Sequence, residues 1–314
     1  MTRNDAVTRP LLTPPAPAPV TGLLTWAVRH MSGGQANHGG AGFEIARLEA
    51  ELMLAEVMEV TRSTLLLKTP MATDRERACF ADLVARRRAG EPLAYLIKRK
   101  SFWEDEFYVK PGVLIPRADS ETMLRALQTL GKRKGLTNRK LRIVDLGTGS
   151  GCLGLSLLRE WPNALALGVD ASEEAIDAAD INAQLLDLRH RFWPVQADWE
   201  SALRLQQVDI LISNPPYIPR EEIAELDREV SVFEPHLALD GGDDGLDYYR
   251  RIVDALLGAE KCPILIAVEI GADQADQVSR LFAALPGDRA LERYSDLGGR
   301  NRIIISAERK LFSS

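Results

Sequence analysis

From Leu141 to the end of the chain, short apolar runs alternate with segments of helical period. Apolar runs rich in β-branched residues predict strands at 141–145, 165–169, 191–196, 208–213, 262–269, 290–295 and 302–306. Helices are expected between them at 151–160, 173–186, 245–258 and 273–285. Such alternation predicts an α/β fold: a doubly wound, mostly parallel, seven-stranded Rossmann-like sheet covered on both faces. Only a loop separates the last two strands, so one of them is expected to run antiparallel.

The N-terminal third carries a different pattern. Thr21–Met31 predicts a short helix, broken by the glycine-rich stretch 33–42. From Phe43 to Val60, Ile45, Leu48, Leu52 and Ala55 recur at helical spacing among Glu44, Glu49, Glu51 and Glu56. Thr73 or Asp74 can cap a further helix that runs to Arg88 and ends at Gly90. Residues 101–116, with aromatics and the turn Pro111-Gly112, predict a β-hairpin bridging two domains, and 120–130 reads as helix. Residues 10–19 hold five prolines and no helical period, which predicts a flexible lead-in. The expected organisation is a disordered tail over 1–20, a helical domain over 21–97, a hairpin linker over 98–118 and the sheet domain over 119–314.

Composition adds bounds. The 314 residues suffice for two cores, and 46% hydrophobic with 27% charged residues is ordinary for a globular chain. A net charge of −6 argues against a surface built mainly to grip phosphates. Cys79, Cys152 and Cys262 lie far apart without a Cys-x-x-Cys pair, so neither a disulfide framework nor a zinc site is expected, and a metal-free, cytoplasmic protein fits. Nothing approaches the roughly 20 apolar residues that span a bilayer, so no membrane partner is expected.

The first chemical signal is Val144-Asp145-Leu146-Gly147-Thr148-Gly149-Ser150-Gly151, an apolar strand entering a glycine-rich turn and then a helix. Ligands of doubly wound folds bind at such strand ends, where glycine lets backbone approach closely. The second strand ends at Asp170, placed to accept both hydroxyls of a ribose; Ser172 is the better candidate for capping the next helix. The third is followed by Ala197-Asp198-Trp199, an acid for an adenine amino group and an aromatic to stack on the ring. The chain has no phosphate-cradling Lys-Ser/Thr, so a nucleoside without phosphates, S-adenosyl-L-methionine, suits this site.

The fourth strand runs into Asn214-Pro215-Pro216-Tyr217. The lone pair of an amide nitrogen is delocalised, which makes it a poor nucleophile. The Asn214 side-chain oxygen can accept one N–H, and a backbone carbonyl, most simply that of Pro215, the other. Together they pull the nitrogen toward tetrahedral geometry and fix its line of attack. Pro215 and Pro216 stiffen the loop, and Tyr217 offers a flat face to a planar group. The motif holds no general base, so the proton is expected to leave after methyl transfer, once the nitrogen has become acidic.

Further segments extend the pattern: Arg88-x-x-Glu91-Pro92-Leu93-Ala94-Tyr95-Leu96, Phe102-Trp103, Leu114-Ile115-Pro116-Arg117-Ala118-Asp119-Ser120-Glu121, Phe233-Glu234-Pro235-His236, Gly242-Asp243-Asp244-Gly245-Leu246, and Asp296-Leu297-Gly298-Gly299-Arg300-Asn301-Arg302. With these residues the chain resembles the protein-(glutamine-N5) methyltransferases of the HemK/PrmC family, from about Phe43 to Ile305. The resemblance implies a methyltransferase domain over 119–314 and a helical domain that recognises a protein partner. It also implies methylation of a glutamine in the Gly-Gly-Gln motif of a peptide chain release factor, with no direct nucleic-acid substrate. By the same resemblance Gly147, Thr148, Gly149, Ser150, Gly151, Asp170, Trp199 and Asn214 contact S-adenosyl-L-methionine. Asn214, Pro215, Pro216 and Tyr217 hold the glutamine, Asn214, Pro215 and Tyr217 being catalytic, and Phe102 closes over the site. The chain departs from the pattern at Ile97-Lys98-Arg99-Lys100, where a glycine is usual, and at Ala118 and Ser120, where Pro and Thr are commoner.

Two alternatives remain at the level of sequence: adenine-N6 methylation of DNA or RNA, where an exocyclic amine poses the same geometric problem, and glutamine methylation of a ribosomal protein. The basic runs 86–88, 98–100 and 132–134 read first as solvated faces. The chain's own Gly33-Gly34-Gln35 matches the expected target tripeptide, which arises by chance in roughly one chain of this length in twenty.

Overall fold

The described residues before Arg99 are built from helices: α1 (Val20–Met31), α2 (Ala41–Val57), α3 (Arg62–Lys68), α4 (Asp74–Arg88) and the single turn α5 (Leu93–Leu96). The computed structural model describes residues 12–16, 19–32, 41–198 and 207–312. The chain divides into two units, one ending at Lys98 and one beginning at Arg99.

In the first unit, a reciprocal cap opens α4. The Thr73 hydroxyl accepts from Glu76 N–H, and the Glu76 carboxylate accepts from Thr73 N–H. The interior face of α2 matches the expected one at Ala55, which is buried, and differs from it nearer the start of the helix. Ile45 and Leu48 are exposed, and Ala46, Ala50, Met53 and Leu54 face the core formed with α1 and α4. Hydrophobicity alone favours the larger side chains, whereas this face is partly alanine. Glu51 is buried on the same helix, its charge compensated by Arg47 and Arg62. Arg87 pairs with Glu49 and Arg86 with Glu91, so the 86–88 run ties elements of this unit together. Leu12 packs on the helical core and Pro19 bridges Met71, so the unit reaches back past residue 21. Residues 1–11, most of the expected tail, and Gly33-Gly34-Gln35 lie outside the described residues.

The second unit opens with an antiparallel hairpin, β1 (Arg99–Phe102) and β2 (Asp105–Tyr108). Its turn is at Trp103-Glu104, not at Pro111-Gly112. Trp103 adopts φ 56°, held by its backbone N–H on Glu121 and its indole N–H on Glu160. Phe102 does not close over the site. It is buried edge-on to Phe107, in a core shared with Met123 and Leu127. The hairpin therefore packs as part of this unit.

Next come α6 (Glu121–Arg133), β3 (Arg142–Leu146), α7 (Cys152–Glu160), β4 (Leu165–Asp170), α8 (Glu173–Leu185), β5 (Phe192–Gln196) and β6 (Ile210–Ser213). The chain ends with α9 (Arg228–Phe233), α10 (Asp247–Leu257), β7 (Leu265–Glu269), α11 (Ala275–Phe282), β8 (Arg289–Ser295) and β9 (Asn301–Glu308). The seven-stranded sheet has the order β5-β4-β3-β6-β7-β9-β8. Strand β9 pairs antiparallel with both neighbours and the other pairs are parallel.

Residues that alternate along the central strands enter different cores. Ile143, Ile212, Leu265 and Ile305 join α6 and α7 on one face. Val144, Leu211, Ile266 and Ile304 join α10 and α11 on the other. This is why β6 and β7 read as apolar runs up to their last residues, Ser213 and Glu269: both of their faces are covered. Pro194, which has no N–H for a ladder, stands on the edge strand β5.

Candidate active site

Strand order reverses between β3 and β6, and the carboxyl ends of the strands around that point open onto a cavity of about 860 Å³. Gly147, Thr148, Gly149 and Ser150 line it after β3, Asp170 after β4, and Asn214 and Pro216 after β6.

The glycine turn is shaped from below. Gly147, Gly149 and Gly151 take φ of 68°, 55° and 80°, the left-handed region where a Cβ is strained. Gly147 and Thr148 donate their N–H groups to the Val169 carbonyl, tying the turn to β4. The buried Asp145 accepts from the Thr148 hydroxyl at 2.8 Å and Gly154 N–H at 3.1 Å. Burial pushes the Asp145 carboxyl up to about 6, against the pull of those two donors.

Asp170 accepts Gly149 N–H with one oxygen, at 2.9 Å, and Ser172 N–H with the other, at 3.0 Å. Burial raises its pKa, and the backbone donors partly offset this. Ser172 caps α8, accepting from Ala175 N–H, which leaves Asp170 to the cavity as expected. Asp198 lines the cavity's far wall, 2.5 Å from Arg251, whose guanidinium lies 5.2 Å from the centre of the Tyr248 ring. Trp199 lies outside the described residues.

The acceptor loop is held at several points. Asn214 Nδ2 donates to the Ser120 hydroxyl at 3.1 Å. Ser213, behind it, donates to the Leu146 carbonyl. Pro215 is buried. Neither Pro215 nor Tyr217 is among the cavity-lining residues, so the flat face expected of Tyr217 is not part of the wall. The Tyr217 hydroxyl instead donates to Glu269 at 3.4 Å, and the Tyr217 carbonyl accepts from Gln274 Nε2 at 2.9 Å. Glu269 is 1% exposed. Burial raises its carboxyl to about 7, and the Ser120 hydrogen bond and the Arg302 charge hold it lower than burial alone would. The buried Glu234, next to the lining residue Pro235, pairs with Arg117 and accepts Ile115 N–H, fixing the 115–117 segment.

Sequence reasoning did not assign roles to Asp145, Glu269 or Gln274. The signal for the first two was available: each is an acid inside an apolar strand that is covered on both faces, which is costly unless the acid has a task.

Glycine turn, carboxylate at the end of β4 and Asn-Pro-Pro-Tyr at the end of β6 define the class of the second unit, a methyltransferase domain. The profile described as "Methyltransferase small domain" matches residues 117–229, and that described as "PrmC N-terminal domain" matches residues 32–97. The chain is 37% identical to the release factor glutamine methyltransferase of Caulobacter vibrioides over 87% of its own length and 93% of the relative's. It is 38% identical to the namesake from Moorella thermoacetica, over 90% and 96%. Among solved structures, the catalytic domain of hMettl16 in complex with MAT2A 3'UTR hairpin 6 superposes with a TM-score of 0.50 at 15% identity. That pair covers 77% of this chain and 85% of the other, and shows the shared fold alone. The chain belongs to the release factor glutamine methyltransferase family.

The methyl donor of this class is S-adenosylmethionine, and the cavity residues fit it. Open space stands where Gly149 would carry a side chain, and the Asp170 carboxylate faces the cavity with the capacity to accept ribose hydroxyls. Asp170→Ala is expected to raise the Kd for S-adenosylmethionine by about 10- to 100-fold, the equivalent of one or two lost charge-assisted hydrogen bonds. Titration calorimetry checks it; an unchanged Kd would place the ribose elsewhere.

Proposed function

We propose that this protein transfers a methyl group from S-adenosylmethionine to the side-chain amide nitrogen of a protein glutamine, that of the Gly-Gly-Gln motif of a peptide chain release factor, in the cytoplasm. The observation that carries the reading is the fixed orientation of Asn214. Its Nδ2 is committed to Ser120, and the residue opens onto the same cavity as the glycine turn. That leaves Oδ1 to accept one N–H of the target amide.

When bound, S-adenosylmethionine supplies an electrophilic methyl on a sulfonium. The chain's residues prepare the nucleophile. Asn214 Oδ1 and the Pro215 carbonyl accept the two N–H groups of the glutamine, which withdraws the nitrogen lone pair from the amide and aims it. Pro216 contributes an apolar wall, and Tyr217 acts through its anchored backbone. Gly147, Thr148, Gly149, Ser150 and Gly151 give the donor backbone to rest on, and Asp170 holds its ribose. Support for the protein substrate comes from the family and from the net charge of −6, which is ill suited to gripping a nucleic-acid strand.

Mass spectrometry of a release factor incubated with the protein and S-adenosylmethionine tests the reading. One added methyl is expected on the Gly-Gly-Gln peptide, placed on glutamine by fragmentation. Methylation of DNA or RNA offered in parallel, with the release factor unmodified, would overturn it.

A further inference from the structure

Asn214 can act as an acceptor in only one of its two amide orientations. Flipped by 180°, it would present N–H groups to a substrate amide that itself donates, and the clamp would become a repulsion. Something must hold the orientation. Among the described residues the side chain that receives its Nδ2 is Ser120, 3% exposed, in the short turn ahead of α6. A hydroxyl oxygen has lone pairs to accept that N–H. The loop beyond Asn214 is anchored as well: the Tyr217 hydroxyl, three residues on, donates to Glu269, buried at the end of β7.

We infer that Ser120 is a positioning residue for the methyl acceptor. Its hydroxyl oxygen accepts the Asn214 Nδ2–H hydrogen bond, and Asn214 Oδ1 is thereby locked toward the substrate amide. Ser120 borders the same cavity and acts on the substrate through Asn214. A threonine hydroxyl can accept the same hydrogen bond, and alanine cannot. The inference deepens the proposed function and rests on it for the identity of the acceptor.

The experiment compares the native chain with Ser120→Ala and Ser120→Thr, using two readouts. The first is methylation of a release factor. Ser120→Ala is expected to lower kcat by about 10- to 100-fold, with KM and S-adenosylmethionine affinity within about threefold of native, and Ser120→Thr to restore kcat to within about threefold. The second does not depend on the acceptor: the Asn214 side-chain amide resonances in a nitrogen–proton correlation spectrum, assigned by their loss in Asn214→Ala. They are expected to shift in Ser120→Ala and return in Ser120→Thr. Unmoved Asn214 resonances, or a Ser120→Ala kcat within twofold of native, would overturn this role of Ser120. A native chain inactive on release factors but with resonances that move as expected would overturn the proposed substrate and leave the role of Ser120 standing.

Discussion

Asn214→Ala is expected to abolish methyl transfer while leaving the fold in place. The residue contributes one hydrogen bond to the protein, to Ser120, and its side chain borders a cavity rather than filling the core. Its removal therefore shifts the melting temperature by no more than about 2 °C. The effect on chemistry is far larger. Losing a preorganised group aimed at the reacting atoms costs about 10²- to 10³-fold in kcat, and here the same group also sets the line of attack. A fall of about a thousandfold in kcat, with thermal unfolding unchanged, is the expected result. Asn214→Asp refines the test. Its carboxylate still accepts, but it cannot donate to Ser120, so it keeps the acceptor and loses the lock. Activity between those of the native chain and the alanine variant follows. An alanine variant that retained kcat within tenfold would show that the acceptor nitrogen is activated by another group.

The parts of the fold that depend on short-range pattern were legible in the sequence. Strands β6 and β7 are apolar up to their last residues, Ser213 and Glu269, because both faces are covered, and the helices between strands carry their period openly. What was hidden depends on partners distant along the chain. The inward face of α2 is set by alanines 46 and 50, which a search for large apolar side chains passes over in favour of Ile45 and Leu48. The hairpin turns at Trp103, in a left-handed conformation that glycine adopts most easily, because Glu121 and Glu160 hold it there; Pro111-Gly112, the stronger local signal, makes a separate turn after β2, closed by Val113 N–H on the Lys110 carbonyl. The candidate site divides in the same way. Gly147 to Ser150, Asp170 and Asn214 are motif residues at strand ends, and the topology brings them to one cavity; Gly151 is not among its lining residues and packs toward Leu155 and Ala179. The residues that orient them come from other parts of the chain: Ser120 precedes Asn214 by 94 positions, and Glu269 follows Tyr217 by 52. No local pattern joins such pairs; only the sheet order does.

The same logic gives the second large effect, at Gly245. The acceptor loop rests on the segment that follows it: Gly241 N–H donates to the Ile218 carbonyl, and Arg220 N–H donates to the Gly242 carbonyl. Gln274 closes the arrangement, donating from one amide nitrogen to the carbonyls of both Tyr217 and Gly245. Gly245 sits at φ 74°, and a Cβ there would stand 2.4 Å from the Tyr217 carbonyl oxygen and 2.6 Å from Gln274 Nε2. Gly245→Ala therefore meets a left-handed backbone penalty together with a collision against backbone, which has less room to yield than a side-chain tip. The two together amount to roughly 3 kcal/mol, or a melting temperature lower by about 6 to 12 °C for a unit of this size. Because the atom displaced is the carbonyl that anchors Tyr217, kcat is expected to fall by about tenfold or more at temperatures where the variant is still folded. Gly258→Ala serves as the comparison. That glycine ends α10 at φ −80°, and its Cβ would meet nothing nearer than 3.7 Å, so melting within about 2 °C of native and full activity are expected. Equal melting temperatures for the two variants would mean that the loop does not lean on Gly245. A Gly245→Ala protein that melted early but turned over at the native rate would mean that the Tyr217 anchor stabilises the fold without positioning the acceptor.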